Sequence, residues 1–436
     1  MEFKKSTVEE LIEQDVIEKP MDGNHGSIHP KTKDFTDVGI PFITAADIHS
    51  DKVDIEKANK LSEKDAQKLK KGFAKKRDVL LTHKASVGRT AIVNNMEYDY
   101  IILSPQVTYY RIKDTTTLLP EYLYLYFKSN YFNQIINQWA GGSTRKYIGI
   151  TAQKKLPILY PSIKNQKKIV DFIMTFEYKV QVNKKIIANL EELSQTLFKR
   201  WFVDFEFPDK NGNPYKSSGG EMVDSELGKI PKGWECVYLK DIVHHKKDTF
   251  NPKKSNESEV KHFSLPAFDS GQYPTIDNVT DIKSNKWIID ENCILFSKMN
   301  PTTRRIWVTS YNENFLNVAS SEFVVLKSDN SYRNAFIYNI CISDKFNEYL
   351  VSNTTGSTNS RQRVKPDIAV QYRFAYNEEV SYLLSEKIEP YIEKIKIIRE
   401  QNQNLTQLRD TLLPKLMSGE IEIPDNIEVN EDELSI

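Results

Sequence analysis

The sequence predicts a mixed α/β protein: two copies of one α/β module, each followed by a long helix, with the two helices forming an antiparallel coiled coil. Three observations lead there: an internal repeat, short β-branched and aromatic runs in the modules, and a heptad stripe at the end of each half. Sliding the 436-residue chain by 214 positions lays Asp78-Val79-Leu80-Leu81-Thr82-His83-Lys84 on Asn292-Cys293-Ile294-Leu295-Phe296-Ser297-Lys298, and Gly142-Ser143-Thr144 on Gly356-Ser357-Thr358. With one more residue of offset, Asn189-Leu190 falls on Asn404-Leu405, Leu193 on Leu408, and Thr196-Leu197 on Thr411-Leu412. Colinear landmarks of this extent mean a duplicated fold rather than one large domain. Two copies suit a task with two-fold character, such as gripping two halves of one target.

Residues 1–162 are expected to form the first module. Val79-Leu80-Leu81, Ala91-Ile92-Val93 and Val107 to Ile112 read as strands. Pro120 to Phe132, rich in Leu and Tyr without a period of two, reads as a helix starting after the proline. Residues 163–207 hold a central long helix, running from about Asn165 to Phe202. Its seam is Ile169, Ile173, Phe176, Val180, Asn183, Ile187, Leu190 and Leu197, a heptad stripe with one polar position. Residues 208–378 comprise a linker, rich in Gly, Pro, Ser and Asn from Pro208 to Gly220, and the second module. Residues 379–419 repeat the long helix, from about Ser381 to Met417, with the seam Ile388, Tyr391, Ile395, Ile398, Asn402 and Leu405, slipping phase through Leu408 to Leu412. Each helix of ~35 residues would be ~50 Å long. Either stripe alone would face water; paired antiparallel they cover each other, and buried Asn183 and Asn402 would fix the register. The plainer alternative is two amphipathic helices, each packed on its own module. Residues 420–436 form an acidic tail.

Composition narrows the class. Hydrophobic content of 39% is that of a globular protein, and the length suggests two or three domains. Cys236, Cys293 and Cys341 share no close spacing and cannot all pair, which fits a reducing compartment. No apolar run follows Met1 and none approaches 18 residues, so a soluble, cytoplasmic chain is expected. Net charge is zero but unevenly spread. Lys68 to Arg89 holds eight Lys/Arg against one Asp, Gly141 to Lys168 seven and no acid, and the tail from Glu420 seven acids and no base. Basic patches in a neutral chain fit a polyanion on one face, although charge runs are often only solvated surface.

Catalytic motifs are missing: there is no phosphate-cradling G-x-x-x-x-G-K-[ST], no glycine-rich dinucleotide turn and no Asn/Asp-Pro-Pro-aromatic run. Asp209-Lys210 and Glu259-Val-Lys261 lack the second carboxylate that a nuclease pair needs. Asp22, His25 and His29 lack a fourth metal ligand, and His244-His245 has no better claim. Two loop types recur in both halves. The first is Leu81 to Thr90, with Thr82, Lys84, Ser86 and Arg89, matched by Phe296 to Arg305, with Lys298, Arg304 and Arg305. The second is Gly141 to Tyr147, with Ser143, Thr144, Arg145 and Lys146, matched by Gly356 to Arg363, with Ser357, Thr358, Arg361 and Arg363. Lys and Arg neutralise phosphates or read guanine edges, Ser and Thr bond either, and Gly88 would let the backbone come close. These side chains are the candidate DNA contacts; a single such loop would read as a polar surface turn.

Three segments resemble the specificity subunit of type I restriction-modification systems: Leu197-Phe-Lys-Arg-Trp-Phe-Val-Asp-Phe-Glu-Phe-Pro208, Ser225-Glu-Leu-Gly-Lys-Ile-Pro-Lys-Gly-Trp234 and Leu408-Arg-Asp-Thr-Leu-Leu-Pro-Lys-Leu-Met-Ser-Gly-Glu420. Asp78-Val-Leu-Leu with Gly88-Arg89 resembles that family's recognition-domain core. The resemblance implies two target recognition domains, each reading one half of a split double-stranded DNA site, with the helices as a ruler for the unread spacer. It implies no catalysis by this chain, and docking of two methyltransferase and two restriction (motor-nuclease) subunits. S-adenosylmethionine, ATP and magnesium would sit on those partners and none on this chain. Leu197, Phe198, Trp201, Phe202, Leu412, Leu413, Leu416 and Met417, at the helix ends, are candidates for the docking surface. The chain departs from the family at Asn300-Pro301-Thr302-Thr303, which replaces the glycine-bearing turn, and at Asn165-Gln166, where Glu-Gln is usual. The arm before Gly39 has no clear counterpart around residues 228–250. Two rival readings are a nuclease or methyltransferase fragment with its own active site, and a coiled-coil assembly scaffold that never touches DNA.

Overall fold

The computed structural model describes residues 1–424 except 50–51, 85, 95, 141–146, 247, 292, 329–330 and 357–361. It divides into two compact units, Met1–Tyr178 with Leu405–Ile436, and Lys179–Asn404. The first unit contains β1 (Lys4–Thr7), β2 (Met21–Asp22), β3 (Phe35–Thr36), β4 (Ile40–Ile43), β5 (Asn59–Leu61), β6 (Phe73–Ala74), β7 (Val79–Thr82), β8 (Thr90–Ile92), β9 (Ile101–Leu103), β10 (Val107–Tyr110) and β11 (Pro157–Tyr160), besides a minor antiparallel pair, Ile48–His49 with Lys52–Val53. The second contains β12 (Glu235–Tyr238), β13 (His244–Lys246), β14 (Thr249–Phe250), β15 (Glu259–Phe263), β16 (Thr275–Asn278), β17 (Lys286–Ile288), β18 (Ile294–Ser297), β19 (Ile306–Val308), β20 (Leu316–Ser320), β21 (Phe323–Lys327) and β22 (Arg373–Tyr376), besides a hairpin of Met222–Ser225 with Gly228–Pro231.

The strand orders expose the duplication. The four-stranded sheets run β8-β7-β10-β2 and β19-β18-β21-β13. The five-stranded sheets run β3-β5-β4-β9-β6 and β16-β15-β20-β17-β14. In each, one parallel pair, β4 with β9 or β15 with β20, sits at the centre. The four core strands correspond in order; only the first short strand differs. β3 joins the edge beside β5, whereas β14 joins the opposite edge beside β17. That is why the arm before Gly39 has no match in the second half of the sequence: the segment exists in both units but is laid on different edges.

β7 is a continuous apolar run because it lies between two strands and is covered on both faces. Val79 and Leu81 enter one cluster with Tyr110, Tyr122 and Phe132; Leu80 enters another with Ile43, Leu103 and Val107. β18 repeats this, with Ile294 and Phe296 on one side and Leu295 on the other. The single helix expected over Pro120–Phe132 is two, Pro120–Lys128 and Asn130–Trp139. Ser129 breaks it by adopting extended backbone and capping the second piece through Phe132 N–H at 3.2 Å. Ser343 does the same between Ser331–Ile342 and Asp344–Ser352.

The long helices span Ile163–Phe202 and Glu378–Ser418. In the second unit they run antiparallel: Asn183 meets Asn402, amide to amide at 2.8 Å, and Glu191 meets Arg399 at 3.0 Å. Both asparagines are 2% exposed, and Asn183 Nδ2 donates to Asn402 Oδ1, so a buried donor meets a buried acceptor. In the first unit Glu177 takes Lys128 at 2.5 Å and Arg409 at 3.4 Å. The seam continues through Arg409, Leu413 and Leu416, not through Leu408, which is 50% exposed. Asn402, Arg409 and Leu416 keep the seven-residue step; Leu408 falls one residue, ~100°, off it. Among the described residues no helix is long and apolar enough to cross a membrane.

Candidate nucleic-acid interface

In the first unit β7 and β8 form a hairpin whose loop carries Lys84, Ser86, Gly88 and Arg89. Thr82 holds this loop together. Its hydroxyl donates to Ser86 O and accepts Arg89 N–H at 3.0 Å, and the residue is fully buried. The expectation of a DNA contact at Thr82 is therefore corrected to a turn-closing role. Gly88 lies at φ +98°, and a Cβ there would stand 3.1 Å from Asn133 Oδ1, so this turn requires glycine. Lys84 and Arg89 are exposed and Ser86 is half-buried. The Arg89 guanidinium donates to Ala45 O at 3.2 Å and Ile48 O at 3.4 Å, which orients it without cancelling its charge.

The corresponding loop of the second unit is built differently. Asn300 takes φ +48°, a left-handed conformation that asparagine tolerates, and its side chain accepts Thr302 Oγ1 at 2.7 Å. Thus Asn300 shapes the turn without glycine. The cations here are paired: Arg304 with Asp344 at 2.8 Å, Arg305 with Asp269 at 2.7 Å, and Arg363 with both oxygens of Glu322 at 3.1 and 3.2 Å. The hydrogen bonds to Glu322 raise the Arg363 pKa further. The expected readiness of Arg304, Arg305 and Arg363 for DNA is accordingly corrected: each guanidinium is already committed to a carboxylate, and Arg305 is largely buried as well. Lys298 stays partly exposed.

The structure brings together the flanks of the two loop types, which are distant in sequence. Lys84 bridges Tyr147, and Ile148 N–H donates to His83 O at 3.0 Å. In the second unit Met299 bridges Arg363, and Val364 N–H donates to Lys298 O at 2.9 Å. The same backbone stitch therefore joins the loops in both copies. Ser143, Thr144, Arg145, Lys146, Ser357, Thr358 and Arg361 lie outside the described residues.

The docking candidates are corrected too. Phe198, Trp201 and Phe202 are 5–7% exposed, in the main core of the second unit, where Phe202 meets Trp234 and Phe336 at 5.0 and 4.6 Å between ring centroids. Leu413, Leu416 and Met417 are buried in the core of the first unit, and Leu197 and Leu412 pack against their respective cores. These apolar helix ends mount the modules. Gln166, where the family usually begins its helix with Glu-Gln, is fully buried and bonds Thr117 O, Pro161 O and Leu119 N–H.

Sequence reasoning missed one constellation. Of the metal set read from Asp22, His25 and His29, His29 lies tilted against Phe42 at 5.8 Å between ring centroids, whereas His25 pairs with Asp22. Among the described residues no three His, Cys, Asp or Glu side chains are placed to hold a metal. Instead Asp22 bonds His25 at 2.6 Å and also Lys71, 49 residues onward, a proximity that no local motif announces. Behind it His83 is fully buried, its Nδ1 2.6 Å from Thr108 Oγ1, and burial brings its pKa down to about 4.

Residues 9–192 match the family described as type I restriction modification DNA specificity domain, a specificity domain and not a catalytic one. The chain is 26% identical to the type I restriction enzyme MjaIX specificity subunit of Methanocaldococcus jannaschii, over 97% of each. It is 24% identical to the HindI specificity subunit of Haemophilus influenzae, over 82% of this chain and 89% of that one. The crystal structure of the type I restriction-modification S subunit from M. genitalium has the same fold, with a TM-score of 0.52 at 14% identity over 98% of this chain and 97% of that one. Over nearly its whole length the chain is thus similar to specificity subunits of type I restriction enzymes, and it shares the fold of a type I restriction-modification S subunit.

Proposed function

We propose that each unit reads one half of a bipartite double-stranded DNA site, and that the paired long helices set the unread spacer between the halves. The observation that carries this is the duplication in three dimensions: the same four-strand core orders, the same loop stitch and the same Ser-capped helix pair occur twice. Two homologous modules with different loop chemistry suit two different short sequences. Lys84, Ser86, Arg89 and Lys298 are the proposed contacts among the described residues, with Ser143, Thr144, Arg145, Lys146, Ser357, Thr358 and Arg361 proposed from sequence. Phosphate contacts would position the duplex and base contacts would specify it.

The chain would act in the cytoplasm without chemistry of its own, docking two methyltransferase subunits, which bring S-adenosylmethionine, and two restriction subunits, which bring ATP and magnesium. The test is co-expression with the methyltransferase partner and mapping of methylated bases in the host genome. A split motif with a fixed gap is expected; a continuous motif would overturn the two-unit reading. Deleting four residues from each long helix at matched positions should shorten the gap and leave both half-sequences unchanged. A change of half-sequence would reject the ruler.

A further inference from the structure

Asp22 is 4% exposed at the end of β2. Its two carboxylate oxygens hold two side chains side by side: Oδ2 takes His25 Nε2 at 2.6 Å and Oδ1 takes Lys71 Nζ. Burial alone would raise this carboxyl, but the hydrogen bonds from Lys71 and His25 outweigh it and hold the pKa below the ordinary value. His83 Nε2 faces the same carboxylate from the interior, 4.0 Å from Oδ2, buried and without a hydrogen-bond partner.

The mount is rigid. Asn24, 2% exposed, donates to Lys71 O at 2.7 Å and accepts Lys70 N–H at 3.0 Å, clamping the backbone of the second segment to the first. Gly23 and Gly72 allow that approach: a Cβ on Gly72, at φ +82°, would come within 2.7 Å of Gly23 Cα. From this mount half of the His25 side chain and a third of Lys71 reach the surface.

A phosphate clamp needs uncancelled positive charge, and here Asp22 cancels that of Lys71. What remains is direction. In the tautomer that gives Nε2–H to Asp22, His25 Nδ1 carries no proton and accepts, while Lys71, bonded to the other oxygen of the same carboxylate, retains donors. One acceptor next to one donor is the complement of the adenine major-groove edge, which presents the N6 amine and N7. Resting on the DNA reading above, we propose that His25 and Lys71 read a base edge in the half-site taken by the first unit, with the pattern of adenine.

The test uses the full chain in complex with its methyltransferase partner, selecting from randomised duplex DNA. Wild type, His25→Ala and Lys71→Met are compared; both side chains are partly exposed, so two independent variants guard against misfolding of either. The expected result is that one adenine of one half-site becomes degenerate in both variants, with roughly 10- to 100-fold loss of discrimination there. The other half-site should stay unchanged in both variants, and the salt dependence should stay unchanged in His25→Ala. An equal loss of affinity for all sequences, with the salt slope reduced by about 1, would mean a phosphate contact and overturn the proposal. An unchanged motif, or loss at a position that is not adenine, would overturn it as well. If wild type selects no motif, the DNA reading itself falls; a wild-type motif shared by both variants defeats only this inference.

Discussion

Replacing His83 with glutamine should remove an acid sensitivity from the first unit. The imidazole is fully buried beneath β10, and burial is the main reason its pKa falls from 6.5 to about 4. Asp22 opposes that fall, while His25 and Lys84 reinforce it. The unfolded chain takes up a proton near pH 6.5, and the folded chain not until about pH 4, so protons favour unfolding between those values. The contribution of neutral His83 is complete above pH 6.5 and is lost as pH falls toward 4. At about 1.4 kcal/mol per pH unit over that window, the loss amounts to about 3 kcal/mol. Urea unfolding of wild type and His83→Gln at pH 7, 6, 5 and 4.5 measures it. His262, also lowered by burial, adds a slope of the same sign from the second unit, so the difference between the two proteins is the relevant quantity. The gap in unfolding free energy should shift steadily in favour of the variant as pH falls. A gap that stays constant from pH 7 to 4.5 would refute the argument.

Three further substitutions probe the frame. Asn402→Leu strands the Asn183 amide in the helix seam and should cost about 1–3 kcal/mol, while Asn183→Leu with Asn402→Leu should be nearly neutral; thermal melting decides. Gly88→Ala forces a side chain into φ +98° against Asn133 and should cost about 1–3 kcal/mol and weaken DNA binding, read by fluorescence anisotropy and melting together. Trp201→Ala should cost about 3–5 kcal/mol, because the ring is core; a variant of normal stability that fails to bind its methyltransferase would return this residue to the docking surface.

What the sequence could disclose follows from the range of the forces involved. The duplication, the strands and both long helices were legible because burial imposes a period: Val79, Leu80 and Leu81 face two cores in alternation, and the heptad seam runs through Asn183 and Asn402. The break at Ser129 was hidden, because a serine cap inside an apolar run looks like any polar helix residue until its φ and ψ are known. Charge was the least legible property. Arg304, Arg305 and Arg363 read as available cations, and only the fold supplies Asp344, Asp269 and Glu322 from up to 41 residues away. Trp201 and Phe202 looked exposed beside a linker, and the fold returned their side chains to the core. The Asp22, His25 and Lys71 cluster escaped for the same reason, since its third member comes from another loop.

These charge assignments make the two units electrostatically unequal although their strand cores correspond. A carbonyl orients a guanidinium and leaves its charge intact; a carboxylate orients it and cancels the charge. Arg89 is of the first kind, and Arg363 of the second. Counterion release counts net charge brought to phosphates, with a slope near −0.9 per phosphate neutralised. Arg89→Gln in the full complex should therefore flatten the dependence of log affinity on log salt by about 1, while Arg363→Gln combined with Glu322→Gln, which removes a pair of zero net charge, should leave the slope nearly as it was. If the two variants flatten it equally, Glu322 releases Arg363 when DNA arrives, and the inequality between the units belongs only to the unbound protein.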